Sequence, residues 1–124
     1  DLMITKDKIP FINENFNVEK ALEIINLKKL GTVITRDKKN NTTGILTDGD
    51  IKRLLHKFND IKKLQVKSII KKGPISVEKD LLAVKALKIM NDKKITSLCV
   101  HSKSKKNKTI GLIHIHNILD ANIQ

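Results

Sequence analysis

Residues that build disulfides and aromatic surfaces are scarce in this sequence, which has one cysteine, three phenylalanines and no tryptophan or tyrosine. Because the single cysteine, Cys99, cannot form an internal disulfide, a reducing compartment is indicated and we expect a cytoplasmic protein. No apolar run approaches the roughly 18 residues that a membrane-spanning helix requires, and no signal-peptide pattern opens the chain. The sequence therefore excludes a disulfide scaffold and a spanning helix, and we expect no membrane partner.

Arginine and acidic residues are also scarce, although the chain is strongly basic. Lysine and arginine total 25 against 13 acidic residues, which gives a formal net charge of +12. Only Arg36 and Arg53 are arginines, the residue type that suits base edges and phosphates, and no aromatic residues interleave with a basic cluster. The lysines are spread along the chain, with one local concentration at residues 103–108. We therefore expect no nucleic-acid partner, but a field of this sign would attract anionic small molecules.

The remaining composition is that of a folded domain. The 124 residues are 40% hydrophobic and 31% charged, enough to bury a modest core in one ordinary domain or two small motifs. The chain begins Asp-Leu-Met instead of with an initiator methionine, so we expect it to be a piece excised from a longer protein.

An internal repeat is the most informative feature that the sequence does have. Residues 13–35 and 78–100 align at a constant offset of about 65. Each copy predicts the order β-α-β-β-α, which is a short strand, an amphipathic helix, a hairpin and a closing helix. We therefore predict a mixed α/β (α+β) fold, with motif one at 1–64 and motif two at 65–124. Because neither motif alone could cover its sheet, the two should pack together around a pseudo-twofold axis.

Caps and apolar spacing set the predicted boundaries within each copy. Asn15 and Asp80 are predicted to cap the first helices, because apolar residues follow each of them at helical spacing. The predicted strands are 9–12, 32–35, 44–47, 75–77, 97–100 and 111–114. The apolar positions of the closing helices are Ile51, Leu54, Leu55, Phe58, Ile118, Leu119 and Ile123. Cys99 lies within a predicted strand, so we expect a buried apolar group instead of a nucleophile. Residues 1–3 are predicted to correspond to residues 68–70.

Both copies close with the same short pattern. Residues 44–50 read GILTDGD and residues 111–117 read GLIHIHN. A tandem repeat that ends in glycine, two apolar residues, a polar residue and then Asp or Asn resembles the cystathionine-β-synthase (CBS) domain pair, also called a Bateman module. The resemblance covers essentially the whole chain. The TDGD string combined with HIHN is similar to the C-terminal CBS pair of the KpsF/GutQ-type arabinose-5-phosphate isomerases.

This resemblance implies a regulatory module of a larger enzyme. Members of that isomerase family interconvert ribulose 5-phosphate and arabinose 5-phosphate for Kdo and lipopolysaccharide biosynthesis, and their catalysis belongs to an N-terminal sugar-isomerase (SIS) domain that this sequence lacks. The implied partners are that SIS domain and a nucleotide or sugar nucleotide, either CMP-Kdo or an adenine nucleotide. No nucleophile–base pair is identifiable in the sequence. We therefore expect no catalytic residues and no cofactor in this piece, whereas the longer protein would be a sugar-phosphate isomerase.

The resemblance also implies the ligand-binding residues. In CBS pairs the threonine of this pattern bonds phosphate and the acid three residues later bonds ribose hydroxyls, which here are Thr47 and Asp50. The full set of expected ligand-binding residues is Thr47, Asp48, Asp50, Arg53, His114, His116 and Asn117. A helix N-terminus at Thr47 suits an anion, but Thr-x-x-Asp is also a capping box that needs no ligand. The two interpretations are compatible, and both stay open.

Copy two departs from the pattern, since His114 replaces the threonine and Asn117 replaces the acid. A His114 site would hold phosphate only once the imidazole is protonated. His114 and His116 could form a metal site with His101, but nothing in the sequence brings His101 near them, and the two rings should diverge if the helix begins at His114. We therefore expect no metal. We expect a homodimer, because a twofold arrangement buries the apolar second helices. An alternative to ligand binding is a structural module that forms this dimer and binds nothing.

Overall fold

Two four-stranded sheets and four α-helices make up the computed structural model, which describes residues 3–121. The chain divides into two compact units, which are unit I, residues 10–74, and unit II, residues 1–9 with 75–124. Each unit contains one copy of the predicted β-α-β-β-α order plus one short additional strand. The mixed α+β prediction is therefore confirmed.

Apart from the additional strands β1 and β5, the strands and helices follow one another in the order that the repeat predicts. They are β1 (Ile4–Thr5), β2 (Phe11–Asn13), α1 (Val18–Lys28), β3 (Thr32–Arg36), β4 (Thr42–Thr47), α2 (Asp48–Lys57), β5 (Lys71–Lys72), β6 (Ser76–Glu78), α3 (Ala83–Lys93), β7 (Ser97–His101), β8 (Gly111–His114) and α4 (Ile115–Asp120). The sheet of unit I has the strand order β2-β3-β4-β5, and that of unit II has the order β6-β7-β8-β1. In both sheets the first pair is parallel and the other two pairs are antiparallel. The two units therefore share one topology.

The caps of the first helices differ from the prediction. Asn17, not Asn15, caps α1, and its Oδ1 accepts a hydrogen bond from the Lys20 backbone N at 2.9 Å. In unit II, Leu82 occupies the N-cap position of α3 without any side-chain cap bond, so Asp80 is not the cap. Both predicted caps lie two residues too early, because the turn before each helix is longer than the apolar spacing indicates.

Each sheet packs against helices of its own unit. The core of unit I consists of Ile12, Val18, Ala21, Ile25, Val33, Leu46, Ile51, Ile61 and Val66. The core of unit II consists of Val77, Ala86, Met90, Leu98, Val100 and Ile118. Of the other predicted closing-helix positions, Leu55, Phe58 and Leu119 are exposed, since a helix of ten residues or fewer buries only one narrow stripe. Ile123 lies outside the described residues.

The additional strands β5 and β1 occupy corresponding edges of the two sheets. Lys72 of β5 pairs with Gly44, as Thr5 of β1 pairs with Gly111. A Cβ at Gly44 would lie 2.7 Å from Ile70 Cδ1, and one at Gly111 would overlap the Met3 side chain. Met3 therefore corresponds to Ile70, as predicted, whereas residues 1 and 2 of that prediction lie outside the described part of the chain.

The structure also bears on the predictions about Cys99 and about membrane-spanning helices. Cys99 is buried within β7, and this burial raises the pKa of its thiol to about 11, which makes it a poor nucleophile at neutral pH. Among the helices that lie within residues 3–121, none is both long and apolar enough to cross a membrane.

Candidate functional site at the start of helix α2

The turn from β4 into α2 places a compact polar network at the N-terminus of that helix. Thr47 has an extended backbone and caps α2, because its Oγ1 accepts a hydrogen bond from the Asp50 backbone N at 3.0 Å. The Asp50 Oδ2 atom in turn accepts one from the Thr47 backbone N at 3.1 Å. The predicted capping box is therefore present, and it stabilises the helix start without a ligand.

The Asp50 carboxylate is the buried centre of this network, with its side chain only 10% exposed. Its Oδ1 atom accepts a hydrogen bond from the Arg53 guanidinium and lies 3.5 Å from Lys71 Nζ. Burial alone would raise the pKa of the Asp50 carboxyl, but the hydrogen bonds from Thr47, then the one from Arg53 and then the charge of Lys71 lower it below its ordinary value. Asp50 is therefore an ionised carboxylate at neutral pH, and a backbone N–H and two cations stabilise its negative charge.

The structure separates the two acids of the TDGD string. Asp48 lies in the first turn, where its carboxylate pairs with Lys52 at 3.6 Å; the Lys52 side chain is largely exposed and that of Asp48 is about half exposed. Asp50 pairs instead with Arg53, so each of the two acids has its own cation on the same helix. Thr47, Asp50 and Arg53 come together in one network, and Asp48 stands beside it.

Lys71 is the member of this network that the sequence motif did not indicate. It reaches Asp50 from β5, because β5 pairs with β4 beside the start of α2. No local spacing could reveal the contact. The sequence offers one indication of its role, which is a difference between the two copies: copy two has the uncharged residue Ile4 at the position that corresponds to Lys71.

In unit II, a neutral histidine cap stands where unit I has the capping box. His114 caps α4, with its Nδ1 accepting a hydrogen bond from the His116 backbone N at 3.2 Å. The two imidazole rings stack with centroids 4.9 Å apart. Diverging rings are expected if the helix begins at His114, but His114 ends β8 and α4 begins at Ile115. The rings meet because the His114 side chain folds over the first turn to make its cap bond. Burial, and to a lesser degree His116, lowers the pKa of His114, so the ring that caps α4 is neutral at pH 7.

Other polar groups of unit II complete the comparison. His101 bonds Ser76, with Nδ1 and Oγ 2.6 Å apart, and it does not join the histidine pair. Within residues 3–121, no group of three or more His, Cys, Asp or Glu side chains is arranged to hold a metal ion. The hydroxyl of Ser97, which pairs with His114 across β7 and β8, is buried with no hydrogen-bond partner in the described structure. Asn117 lies half-buried in the first turns of α4.

Comparison with known proteins agrees with this architecture. The CBS domain family model matches residues 1–57 and 66–123. The chain is 33% identical to the arabinose 5-phosphate isomerase KdsD of Salmonella typhi over 123 residues, which cover 99% of the chain but 37% of KdsD. A CBS-domain-containing protein from Agrobacterium tumefaciens superposes with a TM-score of 0.84 at 16% identity, covering 98% of this chain and 95% of that one.

A structure described as CBSX2 in complex with AMP superposes with a TM-score of 0.79 at 20% identity, covering 98% of this chain and 92% of that one. Identities this low establish the shared fold alone. The two family matches, one for each copy of the repeat, cover most of the sequence. The chain therefore belongs to the CBS domain family, as a tandem pair of CBS domains.

Proposed function

We propose that this chain is the regulatory CBS pair of a sugar-phosphate isomerase and that it binds a nucleotide or sugar nucleotide at the Thr47–Asp50 start of α2. The likeness to KdsD over 37% of that protein supports the regulatory assignment, with the SIS domain of a longer chain as the partner. The AMP complex of a protein with the same fold supports the ligand class. Under this proposal the protein acts in the cytoplasm.

The observation that carries the proposal is the combination of a helix N-terminus, a buried carboxylate and two cations. Backbone N–H groups at the start of α2 and the cations Arg53 and Lys71 suit a phosphate. The Asp50 carboxylate accepts hydrogen bonds and cannot donate them, which suits ribose hydroxyls. The net charge of +12 would draw an anionic ligand toward the chain.

The test is a calorimetric titration with AMP, ATP, CMP and CMP-Kdo. We expect at least one of them to bind and Asp50→Asn to weaken its affinity about ten- to hundred-fold, through lost bonds to a charged acceptor. Asp92→Asn is the matched control, because it removes the same charge from an exposed i,i+4 ion pair of α3, outside the expected ligand-binding residues, and should leave affinity within about two-fold. If none of the four nucleotides produces heat at millimolar concentration, the proposal is wrong.

The isomerase chemistry is assigned to the rest of the longer protein. Within the described residues, the His114–His116 and Ser76–His101 pairs are occupied in capping and strand contacts. Neither pair has the base and electrophile that an aldose–ketose enolisation requires. We expect the purified chain not to convert ribulose 5-phosphate, and turnover that depends on this polypeptide would contradict that expectation.

A structural homodimer is the second candidate function, and one observation favours it. An apolar groove runs between α3 and α4, lined by Val84, Leu87, Lys88, Asn91 and Ile115. Val84, which lines the groove, and Leu119, which lies on α4, are both more than half exposed. A second copy of the chain is the occupant we propose, since a twofold interface buries the same face of both partners. Light scattering at tens of micromolar should give a dimer mass that Val84→Glu reduces to the monomer mass; a wild-type monomer would contradict this candidate.

A further inference from the structure

One lysine connects the Asp50 carboxylate to the strand with which unit I ends. Lys71 lies on β5, whose backbone pairs with β4 at Gly44 and Ile45. Its Nζ lies 3.5 Å from Asp50 Oδ1, so the ion pair joins β5 to the first turn of α2. The chain leaves unit I after Pro74, shortly beyond this contact. The same side chain therefore touches the candidate ligand site and the exit segment.

The Oδ1 atom of Asp50 has no room for a further donor while its present partners stay in place. Oδ2 accepts from the Thr47 backbone N, and Oδ1 faces both Arg53 and Lys71. The whole residue is 8% exposed. A ligand hydroxyl that donates to Oδ1 must therefore displace one of the two cations.

Lys71 is the cation that gives way more easily. Arg53 lies within hydrogen-bond distance of the carboxylate and belongs to the same helix, three residues along. Lys71 lies farther away, at 3.5 Å, and makes the weaker contact, whereas the two side chains are exposed to a similar degree, 73% for Lys71 and 67% for Arg53. Displacing Lys71 therefore costs less than displacing Arg53.

The other contacts that hold this segment are the pairing of β5 with β4 and the packing of Ile69 and Ile70 against the core of unit I. The strand is two residues long, and both residues are exposed. Its backbone approaches β4 closely only because Gly44 has no side chain, since a Cβ there would lie 2.8 Å from the Lys71 carbonyl oxygen. Short edge strands open locally at low free energy, so loss of one ion pair changes their opening measurably.

Unit II lacks this connection. Its corresponding edge strand, β1, pairs with β8 in the same register but presents Ile4 where β5 presents Lys71. Asn117 stands at the position of Asp50. The edge strand of unit II therefore cannot respond to charge at the start of α4, and isoleucine is a substitute that this fold accepts at the position of Lys71.

We propose that Lys71 couples the Thr47–Asp50 site to β5, so that a ligand whose hydroxyl groups take the Asp50 carboxylate releases Lys71 and loosens the β4–β5 pairing. The ligand half of this inference rests on the proposed function. The link between Asp50 and β5 is a property of the protein without ligand, and it can be tested separately.

The experiment is hydrogen exchange of the peptide spanning 69–74, read by mass spectrometry. Lys71→Ile should exchange about two- to five-fold faster than wild type, the range that one partly exposed ion pair supplies. Lys71→Arg should restore slow exchange, and Lys72→Ile is the matched control that should leave it unchanged, since the Asp50 ion pairs do not include Lys72. Saturating AMP should accelerate exchange in the wild type and add nothing in Lys71→Ile.

The outcomes separate the two proposals. If Lys71→Ile exchanges like the wild type, the coupling is overturned, even where AMP binds. If Lys71→Ile exchanges faster but no nucleotide binds the wild type, the link between Asp50 and β5 is supported and the nucleotide proposal falls. If AMP binds the wild type and leaves exchange of residues 69–74 unchanged or slower, the ligand half of the coupling is overturned.

Discussion

The closing helices of the two units begin at corresponding positions with different electrostatics. The corresponding residues are Thr47 and His114, Asp50 and Asn117, Arg53 and Asp120, and Lys71 and Ile4. In unit I a buried carboxylate is held by a capping box and two cations. In unit II a neutral imidazole makes the cap, and neither cation has a counterpart.

The difference shows which parts of this corner the fold requires. Gly44 and Gly111 occur in both units, because each makes room for the edge strand beside it. The carboxylate and both of its cations are replaced in unit II, although the same β-hairpin and helix form there without them. This corner can therefore form without the charged set of unit I, which is why the ligand proposal centres on it.

The largest expected effect concerns the glycines that the units share. Gly44→Ala should destabilise the protein by about 2–3 kcal/mol, because the new Cβ meets the Lys71 carbonyl oxygen, which cannot move without displacing β5. Gly111→Ala should cost about 1 kcal/mol, since the atoms nearest to its new Cβ belong to the flexible Met3 side chain. Urea denaturation measures both free energies of unfolding, and equal costs would contradict the stated difference between the two edges.

Removing the acid or amide at the helix start should have the next largest effect. Asp50→Ala should cost about 1–2 kcal/mol, because it removes half of the capping box and leaves Arg53 and the Thr47 backbone N without their acceptor. Asn117→Ala should cost less than about 0.5 kcal/mol, as an ordinary substitution in a short helix. Thermal or urea unfolding gives both values. A larger loss for Asn117→Ala would mean that α4, not α2, depends on this position.

Sequence alone predicted the capping box but not the full network, because the capping box joins residues close in sequence and the contact with Lys71 does not. Thr47 and Asp50 are three residues apart, so their contact follows from helix geometry. Lys71 reaches Asp50 only through the pairing of β5 with β4, which no local pattern encodes. The caps of α1 and α3 were predicted two residues early, because apolar spacing fixes which face of a helix is buried more firmly than where the helix begins.

A buried hydroxyl distinguishes the first strands of the two hairpins. In unit I, Thr32 Oγ1 donates to the Leu46 carbonyl at 3.1 Å, whereas the corresponding Ser97 hydroxyl has no partner in the described structure. Thr32→Val should therefore cost about 1 kcal/mol, and Ser97→Ala should stabilise the protein by about 0.5–1 kcal/mol. The two changes in unfolding free energy are expected to have opposite signs. Destabilisation by Ser97→Ala would show that the hydroxyl has a partner.

The smallest effect is a difference in pH dependence. The lowered pKa of His114 means that the unfolded chain binds this proton more readily, so its contribution is present above about pH 6.5 and is lost as the pH falls below that value. The lowered pKa of Asp50 gives a contribution that is present above about pH 4 and is lost only in stronger acid. His114→Asn should flatten the stability profile between pH 7 and 5, and Asp50→Asn should flatten it below about pH 4. A profile in which the two variants exchange these windows would contradict the assignment.

The most direct test of a ligand site in unit I and not in unit II is a residue-resolved NMR titration with AMP and with CMP at pH 8. At this pH the His114 imidazole is neutral and cannot hold phosphate. We predict amide shift changes centred on residues 47–53 that Asp50→Ala removes and Asn117→Ala leaves in place. Shift changes centred on residues 114–117, abolished by Asn117→Ala and indifferent to Asp50→Ala, would show that the ligand belongs to the other unit.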